Sequence, residues 1–327
     1  MLDRVGQICT LPSRILVATD LTDIKQILPV AIDYALESKA ALKLLHVLPG
    51  VSRPDWNPDL HGRRDRSTAK VFSERILEDA ATQASQDGAK CTWVTRSGQV
   101  AEAVSQMVRQ WKSDWVIVGS HGIKKLRQEL LGSVAESIFH EVDVPVLAIG
   151  TEVAPDRKLP NRKCRILFAA ALTRESQAVT DFVLRFAEMY RAELTMLHVV
   201  PEVVKAHPSS LRVQAYAEGM FNQILSGIGI KKPRPSYMIE RGQVVETILR
   251  VASDDHFDLI ILGGVSGSSF RTDIMPGVSY RVICGAQCPV LLLKEESHRI
   301  IRGRMEEQVR LTSEKVSQSG LPITSRS

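Results

Sequence analysis

The feature that most constrains this chain is a long internal repeat. Five sequence blocks recur in the same order in its two halves. The pairs are residues 14–22 with 165–173, 41–49 with 193–201, 96–104 with 240–248, 114–119 with 258–263, and 144–149 with 288–293. Ordered self-similarity over such a length indicates two copies of one domain. The length of 327 residues is also what two domains require.

Each copy alternates short apolar runs with stretches whose apolar residues recur at helical spacing. In the first copy, apolar runs predict five strands, near residues 15–18, 42–47, 91–95, 115–118 and 146–149. Nearly continuous apolar strands are typical of parallel sheets that are buried on both faces. The sequence therefore predicts an α/β fold of two tandem open five-stranded parallel sheets with helices on both faces, a Rossmann-like arrangement.

Three polar segments fall outside this alternation. Residues 50–68, rich in proline, aspartate and arginine, predict a loop, and residues 151–163 predict a linker between the copies. Residues 297–327 predict a polar C-terminal tail. We therefore expect the first domain over residues 1–150 and the second over residues 164–296.

Composition argues against several classes of protein. A hydrophobic content of 44% and a charged content of 24% are ordinary for a soluble globular protein. The net charge of +5 is spread along the chain, which gives little reason to expect a nucleic-acid or membrane partner. No apolar run is long enough to span a bilayer, and the first residues lack the apolar core of a signal peptide. We expect a cytoplasmic protein.

The best candidate for a ligand site follows the fourth strand of the first copy. Open parallel sheets bind ligands at the carboxyl ends of their strands, near the point where strand order reverses. Residues 119–133 follow that strand and contain Gly119, Gly122, Gly132 and Ser133. Glycines let the backbone approach a ligand closely, and free N–H groups at a helix start attract phosphate. This stretch therefore predicts a phosphate-binding loop.

The spacing Gly-x2-Gly-x9-Gly-Ser after a fourth strand resembles the ATP-binding motif of the universal stress protein family. Three flanking blocks strengthen the resemblance: Ala-Thr-Asp at residues 18–20, Leu-His-Val at 45–47 and Leu-Leu-Gly-Ser-Val at 130–134. The resemblance extends over nearly all of residues 13–150 and 163–295. It implies an adenine-nucleotide α-hydrolase-like fold with ATP as its ligand.

The resemblance also implies roles for individual residues. Asp20, preceded by Ala18 and Thr19, would lie near the ribose and phosphates or near a divalent ion, Mg²⁺ or Mn²⁺. The backbone of Val47 would contact the adenine edge. The motif residues would surround the phosphates, with Gly119, Ser120, His121 and Gly122 along them and Gly132, Ser133 and Val134 around the terminal ones. Ala18 departs from the family, which often has proline at this position.

Purely structural roles remain open for several of these residues. Asp20 can form the turn before the first helix, Ser133 can simply cap its own helix, and His121 can be a solvated loop residue. His46 is interpreted as structural, because His198 ends the corresponding strand of the second copy.

The second copy keeps the frame of the first but departs from its motif. Asp20 aligns with Ala171, the motif serine aligns with Val278 or Ser279, and Pro276 precedes the last glycine. Each lost hydrogen bond to a charged group costs roughly 1.5–3 kcal/mol. Two such losses weaken binding by about two to four orders of magnitude. We expect the first copy to bind ATP and the second to bind it poorly or not at all.

The motifs of several enzyme classes are missing from the sequence. It contains no Gly-x4-Gly-Lys-Ser/Thr loop, no Gly-x-Gly-x2-Gly after the first strand and no Gly-x-Ser-x-Gly. The leading hypothesis is an ATP-binding stress-response or regulatory protein without assigned catalytic residues. The alternatives are a nucleotide-independent scaffold for proteins or small ligands, and a weak ATPase.

Assembly is predicted from the fifth strands. Residues 146–149 and 290–293 are apolar sheet edges, and exposed apolar edges are usually paired or covered. We expect these strands to pair the two copies within one chain. A homodimer and an unidentified regulatory protein are further partners under this hypothesis.

Overall fold

A computed structural model describes residues 12–49, 63–119, 133–155, 163–170, 176–201, 210–228, 235–263 and 276–294. In the first half, strands and helices alternate along the described chain. They are β1 (Arg14–Thr19), α1 (Ile24–Ser38), β2 (Ala41–Pro49), α2 (Arg63–Gln86), β3 (Lys90–Gly98), α3 (Val100–Trp111), β4 (Trp115–Gly119), α4 (Ser133–Glu141) and β5 (Val146–Ile149).

The second half repeats this order of elements. They are β6 (Arg165–Ala169), α5 (Ser176–Met189), β7 (Glu193–Val200), α6 (Ser210–Ile228), β8 (Ser236–Arg241), α7 (Val244–Asp254), β9 (Leu259–Gly263), α8 (Pro276–Gly285) and β10 (Val290–Leu293). The internal repeat in the sequence is therefore also a repeat of structure.

The strands of both halves form one sheet in the order β3-β2-β1-β4-β5-β10-β9-β6-β7-β8. Every strand pair within a half is parallel. Strand order reverses between β1 and β4 in the first half and between β6 and β9 in the second. This confirms the predicted α/β fold and identifies the two places where ligands of such sheets bind.

The two halves meet at their fifth strands. β5 and β10 pair antiparallel, with Leu147 opposite Leu291 at the centre of the register. Each of these strands is buried along its whole length. The pairing confirms the expected contact between the copies and joins two parallel sheets into a single mixed sheet.

Helices cover both faces of the joined sheet, and each hydrophobic core contains residues of both halves. On the face covered by α1, α2, α5 and α6, aromatic rings cross the boundary between the copies. Trp115 of β4 lies 5.7 Å from Tyr34 of α1 and stacks on Phe186 of α5 at 5.8 Å, measured between ring centroids. Burying rings of this size makes the junction part of the protein core.

A buried lysine fastens the second half onto the first. The ammonium group of Lys294, directly after β10, donates hydrogen bonds to the backbone carbonyls of His140 at 2.8 Å and Val142 at 2.9 Å. It also lies 5.1 Å from the centre of the Phe139 ring. The last carbonyls of a helix lack intrahelical partners and favour a cation, so Lys294 satisfies the carboxyl end of α4.

The corresponding contact in the other direction has a different chemistry. Gly150 follows β5 as Lys294 follows β10, and a Cβ at Gly150 would lie 2.0 Å from the carbonyl oxygen of Ile283 in α8. A side chain is therefore excluded there by backbone. The two ends of the junction are closed by a lysine on one side and by a close backbone approach on the other.

The predicted extent of the loop after β2 was wrong. Residues 50–68 were expected to form a loop, yet α2 begins at Arg63 and so includes the last part of that segment. Residues 63–68 contain no proline or glycine, and their arginines are good helix formers, so the helix extends in front of its apolar stripe.

Among the described helices, none combines the length and apolar character that crossing a bilayer requires.

We predict that Lys294→Met lowers the free energy of unfolding by about 2 kcal/mol, because two carbonyls lose their donor while the aliphatic stem is retained. Urea denaturation of the full chain measures the change. Lys90→Met, at an exposed lysine of the edge strand β3, is the matched control and should leave stability within about 0.5 kcal/mol. Equal effects of the two substitutions would contradict the role given to Lys294.

Candidate functional site

The carboxyl ends of β1, β2 and β4 bring together five of the predicted site residues. Ala18 pairs with Val118 of β4, and Thr19 pairs with His46 of β2, so Val47 lies one residue further along the same edge. Gly119 ends β4. Asp20 follows β1 directly and is exposed. The described part of the predicted site thus lies at the strand-order reversal between β1 and β4.

Asp20 organises the turn between β1 and α1. Its Oδ1 accepts hydrogen bonds from the Thr22 backbone N–H at 2.8 Å, the Thr22 hydroxyl at 2.7 Å and the Asp23 backbone N–H at 3.3 Å. Leu21, inside this turn, has a φ of 75°, a conformation that is unfavourable for a residue with a Cβ. The turn is therefore held by Asp20, which bears out the structural role considered for this residue. Contact with a ligand remains compatible with it, because Oδ2 has no bond within the described chain.

A second carboxylate, which sequence reasoning missed, lies beneath this turn. Asp23 is only 3% exposed, and its Oδ1 accepts a hydrogen bond from the Thr19 hydroxyl at 2.5 Å. The Thr19 hydroxyl in turn accepts the backbone N–H of Leu21 at 2.9 Å. Burial raises the pKa of Asp23 from 3.8 to about 6, opposed by the Thr19 hydrogen bond and reinforced by the negative charge of Asp20.

Gly119 is a glycine because Asp23 occupies the space beside it. A Cβ at Gly119 would lie 2.0 Å from Asp23 Oδ2 and 2.7 Å from its Cγ. The first glycine of the predicted motif is therefore explained by packing against a neighbouring carboxylate. The available sequence signal was an acidic residue at the start of an apolar helix, which by itself does not distinguish a buried carboxylate from a surface one.

The histidines in the second strand of each copy have a structural role, as the sequence suggested. His46 Nδ1 lies 2.9 Å from the carbonyl oxygen of Thr19, and His198 Nδ1 lies 3.1 Å from the carbonyl oxygen of Ala170. A carbonyl only accepts, so Nδ1 carries the proton in both rings. In each copy this hydrogen bond links the second strand to the end of the first. It does not depend on which side chains lie at the ligand edge.

The remaining predicted residues are only partly accessible to structural description. Ser120, His121, Gly122 and Gly132 lie outside the described residues. Ser133 is the first residue of α4 and Val134 the second. The motif therefore begins at the end of β4 and finishes at a helix N-terminus.

The second copy has a different arrangement at the equivalent edge. A Cβ at Gly263 would lie 2.4 Å from Val179 and 3.1 Å from the ring of Phe168, so apolar groups replace the carboxylate found beside Gly119. α8 begins at Pro276. α4 ends at Glu141 and α8 at Gly285, and the strands that follow begin five residues later in both copies. Counted back from these helix ends, Ser133 of the first copy corresponds to Gly277 of the second. The expected alignment of Ser133 with Val278 or Ser279 was wrong by one or two residues, since it counted glycines instead of helix positions.

Comparison with known proteins identifies the class to which this fold and edge belong. The family model described as "Universal stress protein family" matches residues 12–150 and 164–294. The chain therefore belongs to the universal stress protein family and carries two copies of its domain in tandem.

The chain is also similar to individual proteins and solved structures. A universal stress protein of Synechocystis is 26% identical over 149 residues, which cover 42% of this chain and 96% of the relative. A universal stress protein structure from Archaeoglobus fulgidus has a TM-score of 0.63 at 20% identity and covers 86% of this chain and 98% of its own. Another structure from Archaeoglobus fulgidus, in complex with dAMP, is 17% identical, covers 42% of this chain and 98% of its own, and has a TM-score of 0.32.

We predict that Asp23→Asn stabilises the protein at neutral pH but not in acid. A carboxyl whose pKa is higher in the folded state binds extra protons there, so its penalty is absent below about pH 4 and grows as pH rises to about 6. Asparagine removes this penalty and can still accept the Thr19 hydrogen bond. The advantage of the variant in the free energy of unfolding should increase by about 1–3 kcal/mol between pH 4 and pH 7.5.

Urea denaturation at several pH values measures this difference. Glu37→Gln, which neutralises an exposed carboxyl of the same helix, is the control and should show no comparable dependence on pH. An Asp23→Asn advantage that stays constant across the range would contradict the assigned burial penalty.

Proposed function

We infer that the first domain of this chain binds ATP and that nucleotide occupancy regulates a partner in a stress response. The observation that carries this proposal is the position of the motif Gly-x2-Gly-x9-Gly-Ser. It starts at Gly119, at the carboxyl end of β4, and finishes at Ser133, the first residue of α4. A helix N-terminus offers free N–H groups and a positive dipole end, which suit phosphate oxygens.

The neighbouring strands supply complementary surfaces for the rest of a nucleotide. The backbone of β2 at Val47, one residue beyond the pair of His46 with Thr19, is near enough to the end of β1 to serve the base. Asp20 presents its free Oδ2 beside the same reversal point, where a ribose hydroxyl or a phosphate-bound ion can reach it. The proposed orientation places the base towards β2 and the phosphates towards α4.

A divalent ion fits this edge only as a companion of the phosphates. Within the described residues, no three His, Cys, Asp or Glu side chains converge on one cation position. An ion at Asp20 would then take most of its ligands from phosphate oxygens and water, which is the usual manner of Mg²⁺ with nucleotides. Its contribution would be neutralisation of phosphate charge near the Asp20 carboxylate.

We propose no equivalent site in the second domain. Apolar groups surround Gly263, and Pro276 and Gly277 occupy the helix start, where proline lacks an N–H and glycine lacks a hydroxyl. This domain instead contributes half of the joined sheet. The carboxyl ends of its strands would then be available for contacts with a partner.

The proposal predicts one ATP per chain. Titration of the full chain with a fluorescent ATP analogue should give a stoichiometry of one, and Ser133→Val and Asp20→Ala should each weaken binding by about ten- to a hundredfold through loss of a hydrogen bond to a charged ligand. Ser279→Val, the same change near the helix start of the second copy, should leave the affinity unchanged. Two equal sites per chain, or full affinity in Ser133→Val, would refute the proposal.

A further inference from the structure

The buried Asp23 carboxylate has no place in the nucleotide contacts proposed above. Taking a carboxylate out of water is costly unless it is paired, and within the described residues its side-chain partner is the neutral hydroxyl of Thr19. It lies at the first turn of α1 without accepting a hydrogen bond as a helix cap. Its position therefore needs a reason other than local helix stability.

Geometry supplies that reason. One carboxylate oxygen is bonded to Thr19 at the end of β1, and the other fills the space beside Gly119 at the end of β4. The Asp23 side chain thus spans the two strands between which strand order reverses. Its backbone N–H is at the same time bonded to Asp20. One residue connects the turn that presents Asp20 with the first residue of the motif.

We propose that Asp23 is a positioning residue that fixes the distance between the Asp20 turn and the start of the phosphate motif. This inference rests on the proposed function and adds to it the residue that sets the geometry of the site. Its action depends on the shape of the side chain and on the hydrogen bond from Thr19. Misplacement of a binding loop by about 1 Å can cost two orders of magnitude, so truncation at this position has a measurable effect.

The direction in which ATP affinity changes distinguishes a positioning role of Asp23 from an electrostatic one. Removing a negative charge close to bound phosphates would by itself tighten ATP binding. Loss of positioning weakens it. Asp23→Ala should therefore bind ATP about ten- to a hundredfold more weakly. Asp23→Asn, which keeps the shape and loses the charge, should bind ATP at least as tightly as the wild type, within about threefold.

The decisive measurement is the ratio of affinities for ATP and for adenosine, determined by equilibrium dialysis at fixed magnesium. Since adenosine has no phosphates, its affinity should change by less than about twofold in Asp23→Ala. A merely structural role would lower both affinities together. Thr19→Val removes the hydroxyl that donates to Asp23 and accepts the Leu21 N–H. It should shift the ratio in the same direction and gives a second variant if Asp23→Ala does not fold.

The chain offers a matched control at the other end of the same two strands, where β1 and β4 begin. Asp114, just before β4, accepts hydrogen bonds from the Ser13 and Arg14 backbone N–H groups at 2.8 and 2.9 Å and so also ties β1 to β4. Asp114→Ala should lower stability and leave the ratio unchanged.

Three outcomes would overturn the inference, and they differ from failure of the proposed function. Wild-type protein that binds ATP while Asp23→Ala binds it equally well or more tightly refutes the positioning role alone. So does an equal loss of ATP and adenosine affinity, or an equal shift of the ratio by Asp114→Ala. Wild-type protein that binds no ATP refutes the proposed function and, with it, the inference.

Discussion

A strand that is buried on both faces makes a poor exposed sheet edge, because its row of unpaired backbone N–H and C=O groups beside a wide apolar surface pairs readily with another strand. β5 and β10 are both such strands, and each covers the edge of the other. The joined sheet, the two cores that cross it and the aromatic contact of Trp115 with Phe186 all depend on this pairing. The tandem repeat supplies within one chain the partner that each edge requires.

The same constraint explains how the two copies can diverge. Pairing demands only that the second copy keep its strands, its covered faces and its fifth strand, and it places no demand on the side chains at the carboxyl ends of the other strands. That edge has accordingly changed its chemistry: Phe168 and Val179 lie beside Gly263, where the first copy has a carboxylate beside Gly119. The histidine bond at His198 is retained because it ties strands together and does not depend on a ligand.

The strands were predictable from the sequence, because strands covered on both faces must be apolar and the repeat presents each of them twice. Their order in the sheet was found only in the structure. The candidate ligand edge could be proposed from the sequence because glycine spacing is a local property. Asp23 and Lys294 were not predictable, since the identity of their partners depends on residues far away in the chain: Gly119 for the carboxylate, and the end of α4 for the lysine. Each looks like an ordinary surface charge until the fold buries it.

α1 connects the candidate site with the junction of the two copies. Its first turn follows Asp23, which packs against Gly119, while the Gln26 side-chain amide, one turn further, donates hydrogen bonds to the carbonyls of Gly150 at 2.8 Å and Val153 at 2.6 Å. Gly150 in turn lies against the backbone of α8 in the second copy. Because a helix moves with little internal deformation, a shift of the turn before α1 would also strain the hydrogen bonds of Gln26 to Gly150 and Val153. The turn that carries Asp20 and the junction between the two copies are therefore connected through α1.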